Sequence, residues 1–409
     1  MSKLNTASYR GVRDFYPEDQ FFQNYIFNIW RKTLESFGFE EYGASILELS
    51  ELYRSKGSDE IVNEQTYTFI DKGEREVTLR PEMTPTVARM VSAKRRELAF
   101  PLRWYSIPNL FRYEAPQKGR LREHWQLNAD IFGISGQAAD VEIIQIAHTL
   151  MRNFGAMEYD FEIRINNRGE LLQRLSGLLS EEEIPVFMRL LDKKGKMTTE
   201  AYESEMERLL GRKIDFQMED PGQETQAIIS VLENLGINNI KFDPNMVRGF
   251  NYYTGTIFEI FDTDPDNPRS LFGGGRYNDL TKMFENEEIP AVGFGSGDVT
   301  TKDFLATHNL LPPYKSTTQL YIATLSPEQN IAVETLATTL REAGINVAVD
   351  WTHRKAGDQI RTADKHCIPY CILVGQDEVT TETYRLKYLP TGEEKLLQLD
   401  ELIDTLKAE

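Results

Sequence analysis

Apolar residues recur near helical spacing from about residue 19 to 38, in QFFQNYIFNIWRKTLESFGF, and Gly38 follows as a stop, which predicts an amphipathic helix. Strand-like runs come next at Glu76–Leu79, Leu102–Tyr113, His124–Phe132 and Thr256–Phe261. A second helix is expected after Pro81, through VARMVSAKRR. From about 169 to 238 the pattern is helical and charged (GELLQRLSGLLSEEEIPVFMRLLDKKG and onward), predicting a helical piece inserted between two β-rich parts. Near 312 the polar stretch LLPPYKSTT reads as a linker. Beyond it LYIATL, a helix from Pro327 to about Ala343, INVAVD, a helix around Gly357–His366 and YCILVG alternate as β-α-β-α-β, a small separate α/β domain.

The segment NLFRYEAPQKGRLREHWQLNADIFG predicts two strands joined by a Pro-Gln-Lys-Gly turn. Period two puts Arg112 and Glu114 on one face of the first arm. In the second arm it puts His124, Gln126, Asn128 and Asp130 on one face and Trp125, Leu127, Ala129 and Ile131 on the other. An unbroken polar face opposite a hydrophobic one fits a strand lining a site. Lys118, Arg120 and Arg122 add a local positive patch; the same pattern also describes a solvated hairpin with a charged tip.

Four further segments carry polar groups at element ends. In TLRPEMTPTVARM, Glu82 and Thr84 follow a strand at a proline-started helix, where the helix dipole alone also favours an acid. In MVRGFNYYTGTIFEIF, Arg248 precedes Tyr252 and Tyr253, and either tyrosine could simply pack a core. The glycines at 273–275 of LFGGGRYNDL permit close backbone approach or an ordinary tight turn, and match neither a P-loop nor a dinucleotide fingerprint. In AVGFGSGDVTTKDFL a glycine-spaced strand passes into a helix that Asp298 or Thr300 would cap.

Composition narrows the classes. A chain of 409 residues predicts two or three domains, and 40% hydrophobic residues exclude a largely disordered one. The 64 acidic against 46 basic residues, a net charge of -18, oppose indiscriminate coating of nucleic acid but leave room for a local basic cleft. No apolar run reaches the ~20 residues of a membrane span, no signal peptide is evident, and Cys367 and Cys371 cannot build a disulfide framework. A soluble, cytoplasmic protein without membrane contact is expected. The five histidines show no HExxH-type spacing and there is no GxSxG, so metal-ligand and serine-nucleophile readings find no support.

Taken in order, these segments resemble the signatures of the histidyl-tRNA synthetases, a family of class II aminoacyl-tRNA synthetases. YRGVRDFYP is similar to the family's start, FRYE with QKGRLRE to the second class II motif, and RGFNYYTGTIFE and GGGRY to two histidine-specific motifs. HRKAGDQIRTADKHCIPYCILVGQDE resembles its anticodon-binding domain. The resemblance implies an α+β fold: a class II antiparallel sheet flanked by helices over residues 1–311, with the insertion at about 169–238, and an α/β anticodon-binding domain at 317–409. It implies ATP-dependent activation of histidine and transfer to tRNA(His), by a homodimer whose interface the first class II motif builds.

Carried over residue by residue, the resemblance puts Arg112 and Arg248 on the α-phosphate of ATP from opposite sides, as the catalytic pair. Glu114 would face the adenine amino group, Arg120 and Arg122 the distal phosphates, and His124 the place of an adenine-stacking phenylalanine. Glu82, Thr84 and Gln126 would hold the ammonium group of histidine, and Asp130, Tyr253 and Tyr277 would read its imidazole. Mg²⁺ would arrive with ATP, and no protein-bound structural metal is expected. The chain departs from the family at Val299 and Thr300, where Glu and Arg are usual, at Asp130 for Glu and at Asn251 for Asp. The missing third-motif arginine leaves the γ-phosphate contact open, with Arg120 or Arg122 as substitutes. It also keeps in view a catalytically inactive relative acting as regulatory subunit of ATP phosphoribosyltransferase; a sensor of uncharged tRNA is a further alternative, although no kinase or other effector segment accompanies it. That regulatory relative typically lacks the C-terminal domain.

Overall fold

The computed structural model describes residues 4–54, 65–117, 119–194, 197–216, 218–247, 252–284 and 288–408. Arg248, Asn251 and Lys118 therefore lie outside the described residues. The chain divides into two compact units, residues 1–311 and 312–409.

In the first unit the helix Pro17–Ser36 begins two residues earlier than the apolar spacing suggests, because Pro17 with its fixed φ occupies the first turn beside Glu18 and Asp19. Ile26, Trp30, Thr33 and Leu34 form its buried stripe. It stops where Gly38 takes φ +76° and Phe39 N–H turns back to Leu34 O at 3.1 Å.

This helix packs with Gln137–Asn153 on one face of a nine-stranded sheet of order β1-β5-β7-β12-β11-β10-β8-β9, with β6 paired to β7. The strands are β1 (Glu40–Glu41), β5 (Leu102–Ser106), β6 (Asn109–Phe111), β7 (Glu123–Phe132), β8 (Phe161–Asn167), β9 (Ile240–Phe242), β10 (Thr256–Asp262), β11 (Ser270–Arg276) and β12 (Ala291–Gly297). The pairings from β5 through β8 are antiparallel; only the outer pairs β1–β5 and β8–β9 are parallel. Leu127, Ala129 and Ile131 bury one face of β7 in the core, with Ile163, Ile165, Phe258, Ile260 and Phe294 beside them. Burial of this kind contributes about 1.5–3 kcal/mol per large side chain. The polar face of β7 points the other way.

Three expectations change. The run Leu102–Tyr113 is two strands, interrupted at Pro108, which has no N–H to give a ladder. The glycines 273–275 sit inside β11, hydrogen-bonded to β10 and β12, and not in a turn. The helical stretch about 169–238 is also not one piece. The helices Arg168–Ser176, Glu183–Lys194 and Thr199–Leu210 share their own core around Leu171, Phe187, Leu191 and Tyr202, whereas Gln223–Asn234 buries Ile228, Ile229 and Leu232 in the main core. A separate sheet, β2 (Leu47–Leu49), β4 (Glu76–Leu79) and β3 (Tyr67–Ile70), precedes the helix Thr84–Ala93.

The second unit has parallel strands β13 (Leu320–Thr324), β14 (Val347–Asp350) and β15 (Tyr370–Val374), with helices Asn330–Glu342 and Ala356–Lys365 between them. Its sheet continues through antiparallel β16 (Thr383–Tyr388) and β17 (Glu394–Gln398), which the alternation did not reveal. No described helix is long and apolar enough to cross a membrane.

Candidate active site

The polar face of β7 forms the floor of a cavity of about 900 Å³ in the first unit, within the ~300–1,000 Å³ of ligand sites. Ten of the residues to which the resemblance gave a substrate role line it: Glu82, Thr84, Arg112, Glu114, Arg120, His124, Gln126, Asp130, Tyr253 and Tyr277. They come from the Thr84–Ala93 helix start, both arms of the β6–β7 hairpin, the segment before β10 and the end of β11. The hairpin tip is therefore not simply solvated. Arg122 does not line the cavity; its Nη1 donates to Tyr9 Oη at 2.9 Å, its Nε to Glu114 O at 3.2 Å, and its guanidinium covers the Tyr113 ring at 4.1 Å. That conflicts with a distal-phosphate contact for Arg122. Val247 and Tyr252, which bracket the undescribed 248–251 segment, both line the cavity.

At one part of the cavity the Tyr277 hydroxyl donates to Asp130 Oδ1, and Tyr252 Oη donates to Glu82 Oε2 at 3.3 Å. The Tyr252 ring lies 4.9 Å from Tyr253 and 5.8 Å from Tyr277, so both tyrosines of the pair pack a core and face the cavity together. Burial pushes the Asp130 carboxyl up to about 7 despite the Tyr277 hydrogen bond. Burial likewise raises Glu82 to about 7, with Arg112 and Tyr252 opposing, and Glu82 Oε1 has no hydrogen-bond partner. Two buried carboxyls poised near neutrality, one with an unused acceptor, form a receptor for a cation and a hydrogen-bond donor.

Backbone chemistry makes room for them. A Cβ built on Gly293 would lie 2.1 Å from Asp130 Oδ1 and 2.6 Å from Ala129 O, and one on Gly295 would meet Gln126 at 3.0 Å. The glycine-spaced β12 thus lets the polar face of β7 remain open.

Beside this cluster, Arg112 Nε donates to Pro81 O at 2.9 Å, which fixes the guanidinium at the cavity wall. Arg120 pairs with Glu114 at 3.2 Å. His124 is driven down to about 3 by burial, then by Arg112 and Arg13, so its ring is neutral at physiological pH. Gly297, not Asp298 or Thr300, holds the helix cap position, without a side-chain bond; Asp298 in the first turn accepts the Val299 N–H, and Thr300 Oγ1 donates to Leu271 O at 2.8 Å.

Sequence reasoning passed over Gln65, Arg168, Glu259 and the insertion residues Leu172, Met188 and Arg189, which also line the cavity. Arg168 and Glu259 sit on elements whose pattern signalled only packing, and nothing in their spacing marks them. Asn128 lies on the polar face and could have been carried into the site by that observation alone.

A family model for histidyl-tRNA synthetase matches residues 11–210 and 170–299, and one for an anticodon binding domain matches 319–409. A histidine–tRNA ligase of Leptospira biflexa is 43% identical over 430 aligned residues, covering all of this chain and 98% of that protein. A histidine–tRNA ligase of Thermoplasma volcanium is 33% identical, with 97% of each chain covered. The crystal structure of a histidyl-tRNA synthetase from Nostoc superposes with a TM-score of 0.79 at 25% identity over 99% of both chains.

Proposed function

The chain belongs to the histidyl-tRNA synthetase family, and from that premise we propose how its cavity activates histidine with ATP and passes it to tRNA(His). The observation that carries the reading is one cavity joining the buried Glu82, Asp130 and Tyr277 cluster to Arg112 and neutral His124. Glu82, with Thr84 and Gln126, receives the substrate ammonium, because a buried ionised carboxylate gains most from a cation. Asp130, Tyr277 and Tyr253 read the imidazole. A site built on such polar contacts rejects analogues lacking them by about 10⁴–10⁵.

The histidine carboxylate attacks the α-phosphorus; a carboxyl oxygen–phosphorus bond forms, the bond to the β-phosphate oxygen breaks, and pyrophosphate leaves. No enzyme base is required, since the nucleophile is already ionised. Arg112 neutralises charge that grows on the α-phosphate in the transition state. Arg248, assigned through the resemblance, would act on the same phosphate, and its neighbours Val247 and Tyr252 at the cavity support that placement. Glu114 and the His124 ring serve the adenine, and Arg120 the distal phosphates. A ribose hydroxyl of tRNA then attacks the adenylate carbonyl, releasing AMP.

Mg²⁺ is proposed to enter on ATP, whose phosphate oxygens suit a hard cation. Among the described residues no three His, Cys, Asp or Glu groups are placed to hold a metal, and no step is assigned to one. Cytoplasmic residence is proposed with this reading, because a tRNA substrate is met there. A homodimer is supported by the three-stranded sheet: Leu47, Leu79 and Tyr67, and Leu49, Val77 and Phe69, face the same side by register. Leu47, Leu49 and Phe69 are 42%, 53% and 47% exposed there, an apolar patch suited to a second copy.

The test is histidine-dependent exchange of pyrophosphate into ATP. The protein should exchange with histidine alone among amino acids, and Arg248→Ala should abolish exchange while histidine binding stays measurable. Absence of exchange in the unaltered protein would favour the regulatory-subunit alternative. Exchange near the unaltered rate in Arg248→Ala would remove that arginine from the mechanism.

A further inference from the structure

Asp298 is a buried carboxylate in the first turn of its helix, after the Gly297 cap position and outside the cavity lining. Its Oδ1 accepts Trp125 N–H at 3.0 Å and its Oδ2 accepts Arg13 Nη2 at 2.7 Å. Trp125 stands between two cavity residues, His124 and Gln126. The β7–β12 ladder ends with Gln126 opposite Gly297, so the Asp298 side chain extends it by one more backbone donor.

Arg13 arrives on a segment that runs along the same arm. Gly11 O accepts the backbone N–H groups of Arg122 at 2.7 Å and Glu123 at 3.3 Å, and the Tyr9 hydroxyl takes Arg122 Nη1. Phe15 meets Trp125 edge-on at 5.2 Å, and Arg13 lies 4.9 Å over Phe15. Gly11 has φ +90°, and a Cβ there would come within 2.7 Å of Arg122 Cγ. Residues 9–15 therefore strap residues 122–125, and the Arg13–Asp298 ion pair closes the strap. The histidine side is held otherwise: Gln126 N–H goes to Pro108 O at 3.0 Å, and Asp130 lies mid-ladder opposite Gly293 and Trp104.

We propose that Arg13 and Asp298 are positioning residues for the nucleotide side of the site, locking the N-terminal segment onto the 122–125 arm so that Arg120 and His124 are set for ATP. This rests on the reading of the cavity as the ATP and histidine site. The pair sits at the start of the helix in which Thr300 stands where the family carries arginine, so the strap stiffens the end of the site that lacks that side chain.

The test uses the full chain in pyrophosphate exchange, with KM for ATP and for histidine measured separately and the melting temperature alongside. Arg13→Ala should raise KM for ATP about tenfold, the loss expected for one hydrogen bond to a charged group, with KM for histidine within about twofold. Arg13→Lys should recover most of it, and adding Arg13→Ala to Asp298→Ala should cost little more than Asp298→Ala alone, whose effect also includes the lost Trp125 N–H acceptor. Should Arg13→Ala not fold, Gly11→Ala, which strains the strap without removing its charge, should raise KM for ATP in the same selective way. Equal rises in both KM values, or a lowered melting temperature with KM for ATP unchanged, overturn the proposal. Failure of the unaltered protein to exchange at all instead overturns the functional reading beneath it.

Discussion

At the scale of single residues, burial decides the chemistry. Glu82 and Asp130 lie near 7 because desolvation outweighs their hydrogen bonds. Both folded-state values are raised above the unfolded ones. The folded protein therefore binds more protons between about pH 4 and 7, and each group's stabilising contribution is lost as pH rises through that window. Ligand binding runs the other way, since the ammonium of histidine needs ionised Glu82. Histidine affinity, followed by calorimetry, is expected to rise about tenfold per pH unit as pH approaches 7 from below and to level off above. In Glu82→Gln the affinity should fall and the part of the slope due to this residue should vanish; an unaltered slope would remove Glu82 from ammonium recognition. Gly293→Ala should also weaken histidine binding and lower the melting temperature, since its Cβ would displace the Asp130 carboxyl and press on the backbone oxygen of Ala129. Alternation alone made Gln126 and Asp130 legible as site residues. It could not show that burial beside Tyr277 would raise the Asp130 carboxyl or that Arg122 would be tied to Tyr9, because both depend on segments more than a hundred residues away.

At the scale of elements, what the sequence could not disclose is what long-range pairing decides. The β7 face was readable because period two is written into HWQLNADI. The glycine run was not readable as a strand, since glycine lacks the side chain that normally signals one, and only its neighbours β10 and β12 hold it straight. The end of that strand is fixed by a buried ion pair. Arg276 grips Asp140 at 2.6 Å and also donates to Ile134 O and Gly136 O at 2.9 and 3.0 Å, tying β11 to the start of the Gln137–Asn153 helix one position before Tyr277. Asp140→Ala leaves that guanidinium buried without its counter-charge, at a cost of about 3–5 kcal/mol. Urea unfolding should show the loss as a lower midpoint at constant slope. A change under 1 kcal/mol would mean that the two carbonyls suffice. The same logic separates the helices: Gln223–Asn234 looked like part of the insertion because its charged surface matches, yet its apolar stripe is complementary to the main sheet.

At the scale of the whole molecule, a chain of net charge -18 must bind a polyanion through local surfaces. The second unit offers one at the carboxyl ends of its parallel strands. Asp350 accepts Tyr321 Oη at 2.7 Å and Thr352 N–H at 2.8 Å, and Gln359 bonds both the N–H and the carbonyl of Thr324, so the loop between β14 and the Ala356–Lys365 helix is rigidly founded. That loop carries Trp351, 43% exposed, with Arg354 and Lys355 beside it. An exposed indole next to cations is a platform for an unpaired base. Two variants separate the ring from the charge. Trp351→Ala should weaken tRNA binding by about 1–3 kcal/mol, the loss of one stacked base, at every ionic strength. Lys355→Ala should instead flatten the fall of log affinity with log salt by about 0.7–0.9, the signature of one phosphate contact released. Neither should alter histidine-dependent pyrophosphate exchange, which needs no tRNA. Binding insensitive to salt, or unchanged by both substitutions, would move the tRNA contact off this loop.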